Sequence, residues 1–359
     1  MGDTPPPTSQ SGRHSMTQID DNEFDDEPFD LEAVIGGAWV PSRYGPDDQL
    51  GTWNEVTPQK TAAVLARIDS SRPVQTYQLA ETLFNGFPAN GDREYQQTLS
   101  VLGFEPAPGF EGIRVSADPI GPWQGCALEE RVSTTYNMGT KINGLHHVGI
   151  AGKFYNGTDG AEIAETWGTT RLGQETQGPI VTRGVLIDVL GQKVAVNAKE
   201  DLEVLSNGRP MLREGYRITL EDIVTALEWE GVTEPIGPGD VVLLRTGWRE
   251  LIEVDAKRYL EGQQSGPYLR ECRWLASKRP AVIGVDSWFF GVGVDDIPTT
   301  MLCHQEVAAR FGVRVGEAIR TDGLAEDRIY DFVFCASSQN ARGAVSSNAP
   351  PFALGQVPS

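Results

Sequence analysis

The sequence predicts an α/β domain in which helices flank a strongly bent sheet. Three features carry that expectation: β-branched runs closed by Gly or Pro, helical segments with clear starts between them, and long Gly-rich connections. Taken in order, Thr57-Pro58 supplies an N-cap and a proline at the first helical position, and predicts a helix through Arg67. Val181 to Leu190 is β-branched and predicts a strand. Thr219-Leu220-Glu221-Asp222 marks a second helix start, after which Ile223, Ala226 and Leu227 recur at helical spacing. Val241 to Arg245 predicts a strand, and Ala281 to Val285, following Pro280, a short buried one. Gln305 to Phe311 predicts a helix that Gly312 stops.

Residues 1–33 hold nine acidic side chains and one arginine, with many Pro and Ser and few large apolar groups. That composition predicts a disordered acidic tail, in which His14 is set aside, ahead of a single catalytic domain over 34–359. The tail carries about −8 of the −20 formal charge, leaving −12 on the body. So acidic a chain repels phosphate backbones, and it has no basic patch interleaved with aromatics, which argues against nucleic-acid binding. No run of eighteen apolar residues exists and no charged-then-apolar leader opens the chain, so neither a membrane span nor secretion is expected. Cys126, Cys272, Cys303 and Cys335 are scattered, as in reduced thiols of a cytoplasmic protein. Cys303 is noted as an alternative nucleophile because His304 follows it.

The densest chemical signal is Asn137-Met138-Gly139-Thr140-Lys141-Ile142-Asn143-Gly144-Leu145-His146-His147. It resembles the motif His-x-Gly-Thr-His-x-Asp-x-x-x-His of the cyclase superfamily, which includes bacterial kynurenine formamidases and isatin hydrolases. Further segments follow the family's order from about residue 45 to 350: Gly51 to Pro58, Phe154 to Gly157, Arg183 to Asp188, Gly237 to Trp248, Ile283 to Trp288, and the late His304 and Glu317. The resemblance is to the longer-chain branch. It implies a β/β/α swivelling-type domain with a strongly bent mixed sheet, assembled as a homodimer or homotetramer.

The family's first His, second His and Asp bind Zn²⁺ or Mn²⁺. Those positions here are Asn137, Lys141 and Asn143. A protonated amine has no lone pair to donate and repels a dication, and asparagine offers only a neutral carbonyl. The expectation is therefore no cofactor. A residual metal would have to use His147, His304, Glu317 and an asparagine oxygen.

The resemblance implies that His147, the family's last motif histidine, transfers protons, and that His304 and Glu317 complete the site. Glu317 would orient His304 as a carboxylate orients a triad histidine. On a strand, His146 and His147 would point to opposite faces, so one of them faces the site. Lys141 is expected to point inward and to supply a positive charge where the metal would sit. Asn137, Asn143, Tyr155, Asn156, Trp248 and Trp288 are the candidate substrate contacts, and Asp286 is either a site carboxylate or a strand-end cap. The function expected is metal-independent hydrolysis of an amide or lactone bond in a small cyclic or aromatic molecule. The alternatives are a lyase, dehydratase or isomerase acting beside a carbonyl, and a catalytically inert binding protein. Convergence of Lys141, His147 and His304 on one concave pocket discriminates an enzyme from an inert relative.

Overall fold

The computed structural model describes residues 24–293, 301–348 and 350–358. Nine strands form one strongly curled mixed sheet. In chain order they are β1 (Gln75–Gln78), β2 (Lys141–Asn143), β3 (Ile180–Ile187), β4 (Val241–Leu244), β5 (Val282–Val285), β6 (Arg314–Glu317), β7 (Asp331–Ala336), β8 (Ser346–Ser347) and β9 (Phe352–Gly355). Their order across the sheet is β1-β9-β7-β3-β4-β5-β6-β2-β8. The central four, β3 to β6, run parallel, and antiparallel strands extend them on both sides. Strands β4 and β5 are apolar or glycine throughout and buried at every position, as parallel strands covered on both faces must be.

The predicted elements are present, with instructive differences at their ends. The first expected helix forms over Pro58–Leu65, with the Thr57 side chain accepting from Lys60 N–H. The helix over Leu220–Glu230 opens with a reciprocal cap: Thr219 accepts from Asp222 N–H, and the Asp222 carboxylate accepts from Thr219 N–H. The expected strand to Leu190 stops at Ile187, because Asp188 accepts from Gly191 N–H at 2.7 Å and starts a helix over Val189–Ala195. The segment expected to be an ordinary helix over 305–311 is one α-turn, Leu302–His304, running into a π-helical Gln305–Arg310. Gly312, at φ +66°, ends it and turns its carbonyl to Thr52 N–H at 2.8 Å.

Residues 24–33, assigned to the tail on composition, are folded onto the body. Asp30 caps a short helix, Leu31–Ile35, and Asp25 pairs with Arg273 at 2.5 Å. Asp26 accepts from Arg270 N–H at 3.0 Å and pairs with Arg217. Local composition missed this because the acidic groups are matched by arginines some 190–250 residues later. Residues 1–23, with His14, lie outside the described residues. Among the described residues no helix is long and apolar enough to cross a membrane.

Several segments that follow the family's order are scaffold. Arg183 is buried and donates to Asp331, Asp240 and the carbonyls of Glu234 and Pro235, stapling β3 to β7 and to the turn before β4. In that turn Gly239 adopts φ +75°, and a Cβ there would lie 2.8 Å from the Glu55 carbonyl oxygen. Beside the main sheet stands a three-stranded unit, Gln96–Leu102, Ile113–Ser116 and Ala127–Ser133, whose last strand is exposed along its whole length.

Removing the reciprocal cap tests the reading of the second helix. Thr219→Ala should destabilise the protein by about 1 kcal/mol in urea unfolding.

Candidate active site

The site grows from the antiparallel pairing of β2 with β6. Lys141 lies opposite Glu317 in the register, so their side chains share a face. Asn143, two residues on, points the same way and lies opposite Ser346 of β8. The Gly139-Thr140 pair sets this strand in place. Gly139 takes φ +56° where a Cβ would be 2.6 Å from Leu83. The Thr140 hydroxyl donates to the Ala318 carbonyl and accepts from Glu81 N–H at 2.8 Å.

Glu317 is 1 % exposed, and four donors surround it. Oε1 accepts from Phe290 N–H at 2.9 Å and meets His304 Nε2 at 3.1 Å. Oε2 accepts from Asn143 Nδ2 at 2.9 Å and from the Lys141 ammonium at 3.0 Å. Burial alone would push this carboxyl up, but the Lys141 charge and the His304 hydrogen bond reverse that and hold it well below the usual carboxylate range. Lys141 also donates to the Trp288 carbonyl at 3.0 Å, which leaves its third N–H for the cavity. Asn143 accepts from the Ser346 hydroxyl at 2.9 Å.

Asn137, Lys141, His147, Trp288, His304 and Glu317 line one cavity of roughly 280 Å³. His147 Nε2 lies 3.3 Å from the Asn137 side-chain amide. Burial pushes its imidazole down to about 4 against the opposing charge of Glu317, with His304, Lys141 and Arg93 adding to the fall, so it is neutral at neutral pH. The two histidines do part company, although they sit on a turn after β2 rather than on a strand. His146 faces away from the cavity, with Nε2 3.0 Å from the Thr169 hydroxyl.

Five sequence expectations fail here for physical reasons. Asn143 is buried outside the cavity lining, with its side chain spent on Glu317 and Ser346. Tyr155 is 1 % exposed, and its hydroxyl donates to Asp48 at 2.8 Å behind the site. Asn156 uses its side chain to tie down the chain at Ser42, Gly45, Pro46 and Asp48. Trp248 is fully buried in a satellite core, with its indole N–H donating to the Tyr259 carbonyl at 3.0 Å. Cys303 packs in the main core beside Cys272. Asp286 takes the strand-end role: it accepts from the N–H groups of Thr246 and Gly247 and lies outside the cavity lining. Sequence reasoning did not find Arg93 or Gln264. Arg93 arrives on a loop with no motif. Gln264 donates to the Phe289 and Gly291 carbonyls and shapes the loop that carries Trp288.

The motif resemblance implies a divalent cation in this position, and the residues present do not suit one. Lys141 puts an ammonium against Glu317, and both Glu317 oxygens are already hydrogen-bonded on the protein side. Among the described residues no group of three or more His, Cys, Asp or Glu side chains is arranged to hold a metal.

Acid should act on this region first. His146 and His147 both have folded values near 4, against about 6.5 unfolded, so the unfolded chain takes up protons first as the pH drops. Their contribution is intact above pH 6.5 and is lost as pH falls through 4, and Glu317 extends the loss to lower pH. Melting temperature should therefore fall between pH 6.5 and 4, and His146→Gln should flatten that slope.

Comparison with known proteins follows the same lines. The Cyclase family model matches residues 48–292. A crystal structure described as a novel cyclase superposes with a TM-score of 0.69 at 24% identity, covering 88% of this chain and 98% of that one. Isatin hydrolase A from Ralstonia solanacearum gives a TM-score of 0.52 at 19% identity, covering 82% and 95%. An isatin hydrolase bound to the product analogue thioisatinate gives 0.53 at 15%, covering 84% and 99%. No curated protein sequence matches. With a family model covering well over half its length, the chain belongs to the cyclase family.

Proposed function

We propose that this protein is a metal-independent hydrolase that opens an amide or lactone bond in a small cyclic or aromatic substrate. The observation that carries the reading is the Lys141–Glu317 pair on the wall of the cavity that His147 and His304 also line. An inert relative has no need to keep two histidines and a buried charge pair around an open cavity. Isatin hydrolases among the structural neighbours supply the chemical precedent, ring opening of a cyclic amide.

In this reading the scissile carbonyl oxygen points at the free N–H of Lys141, where negative charge develops in the transition state. His147 is neutral and takes the proton from water as water attacks the carbonyl carbon. Asn137 fixes its tautomer: its amide N–H donates to Nε2, so the neutral ring carries its proton on Nδ1 and Nε2 is the basic nitrogen. As the tetrahedral centre collapses, the C–N or C–O bond breaks. The proton held by His147 goes to the departing nitrogen or oxygen, and the new carboxyl group loses its remaining proton to solvent to leave a carboxylate. Glu317 and His304 act as positioning residues that keep the ammonium in place. Trp288 and Phe289 offer flat apolar faces for an aromatic ring.

Lys141→Ala tests the charge directly. Removing the ammonium leaves Glu317 buried and unpaired, at a cost of about 3–5 kcal/mol, so activity is read well below the new melting temperature, with circular dichroism confirming the fold. Turnover of isatin, formanilide or dihydrocoumarin by the wild-type protein is expected to fall at least about a hundredfold. Added ethylammonium should restore part of it. Unchanged activity removes Lys141 from the mechanism. Elemental mass spectrometry of the active protein should find far less than one equivalent of Zn or Mn, and a stoichiometric metal overturns the metal-free account.

A further inference from the structure

Arg93 is half-buried on the loop that leads into the three-stranded unit, and it lines the same cavity as Lys141 and His147. It makes no hydrogen bond or ion pair among the described residues. Arg43, Arg131, Arg171 and Arg328 also make none, but each of those is exposed, whereas Arg93 is half-buried in a chain where 50 carboxylates face 30 basic side chains. Arg183, Arg245, Arg249, Arg258 and Arg273 are all held by carboxylates. Among the described residues the one carboxylate lining the cavity is Glu317, and its four donors leave it unable to serve Arg93. Among the described residues the cavity wall therefore carries two cations against one saturated anion, inside a protein of net charge −20.

A guanidinium without a counter-ion at the wall of such a cavity is a ready two-pronged receptor for a carboxylate. Trp288 and Phe289 on the same wall supply apolar faces, and Phe289 lies 4.8 Å from the His304 ring. We propose that Arg93 is the specificity-determining residue of this site and anchors the carboxylate of a small aromatic acid. The proposal rests on the hydrolase reading only for the location of the site, and it narrows the substrate class from neutral rings to ring-bearing anions. The second cation, Lys141, is occupied by Glu317 and the Trp288 carbonyl, so the two positive groups divide the work: Arg93 binds the anionic group and Lys141 meets the reacting carbonyl.

The test measures binding and not turnover, so it stands apart from the fate of the hydrolase reading. Benzoate and benzamide have the same shape and differ in charge. Calorimetric titration of the full chain should show benzoate binding at least about tenfold more tightly, an advantage that shrinks with added salt. Arg93→Gln should bring the two ligands within about twofold of each other, and Arg93→Lys should restore part of the preference. The side chain is unpaired and half-exposed, so these variants should melt with the wild-type protein. No preference for benzoate, or a preference that survives Arg93→Gln, overturns the proposal. Loss of hydrolysis in every assay alongside an intact, Arg93-dependent preference would instead remove the reaction and keep the anchor.

Discussion

The ion pair between Lys141 and Glu317 organises the centre of this molecule. Both groups are almost completely buried, and two such charges leave water only when each finds a full set of partners. The sheet provides them. Antiparallel pairing of β2 with β6 sets the two side chains opposite each other, β8 brings Ser346 to Asn143, and the loop after β5 contributes a carbonyl to Lys141 and an N–H to Glu317. Breaking any one of these contacts leaves a charge underserved, so the pair ties three strands and a loop to a single arrangement. The curl of the sheet and the chemistry of the cavity meet at this point.

Much of the fold was legible in the sequence because its signals are local. A proline after Thr57, a reciprocal cap at Thr219 and the apolar runs of β4 and β5 each fix their own surroundings. What escaped depends on distant partners. Residues 24–33 look unstructured on composition, and they become ordered through arginines on the far side of the chain. The helix after Met301 widens into a π-turn, a change that depends on tertiary packing and is common near functional sites.

The site shows the same division. Motif spacing brought Asn137, Lys141, Asn143, His147, His304 and Glu317 into view; strand pairing holds Lys141, Asn143 and Glu317 together, and short turns flanking β2 carry Asn137 and His147. Trp288 came with the loop that follows β5. Tyr155, Asn156 and Trp248 were drawn in by their nearness to motif residues along the chain. The structure uses them as struts: a hydroxyl on Asp48, an amide gathering the 42–48 loop, and an indole closing a side core. Arg93 sits in no recognisable pattern, since a lone arginine on a loop becomes noteworthy only when the described residues around it prove to offer it no carboxylate.

The completeness of the shell around Glu317 also bears on how such a site changes over generations. Putting an imidazole at position 141 alone would strand a buried carboxylate, and putting an aspartate at 143 alone would set two anions side by side. Neither single step yields a binder for a dication, and each intermediate is less stable than either endpoint. The shell around Glu317 can therefore be rebuilt only by several changes made together, which makes this arrangement resistant to drift one residue at a time.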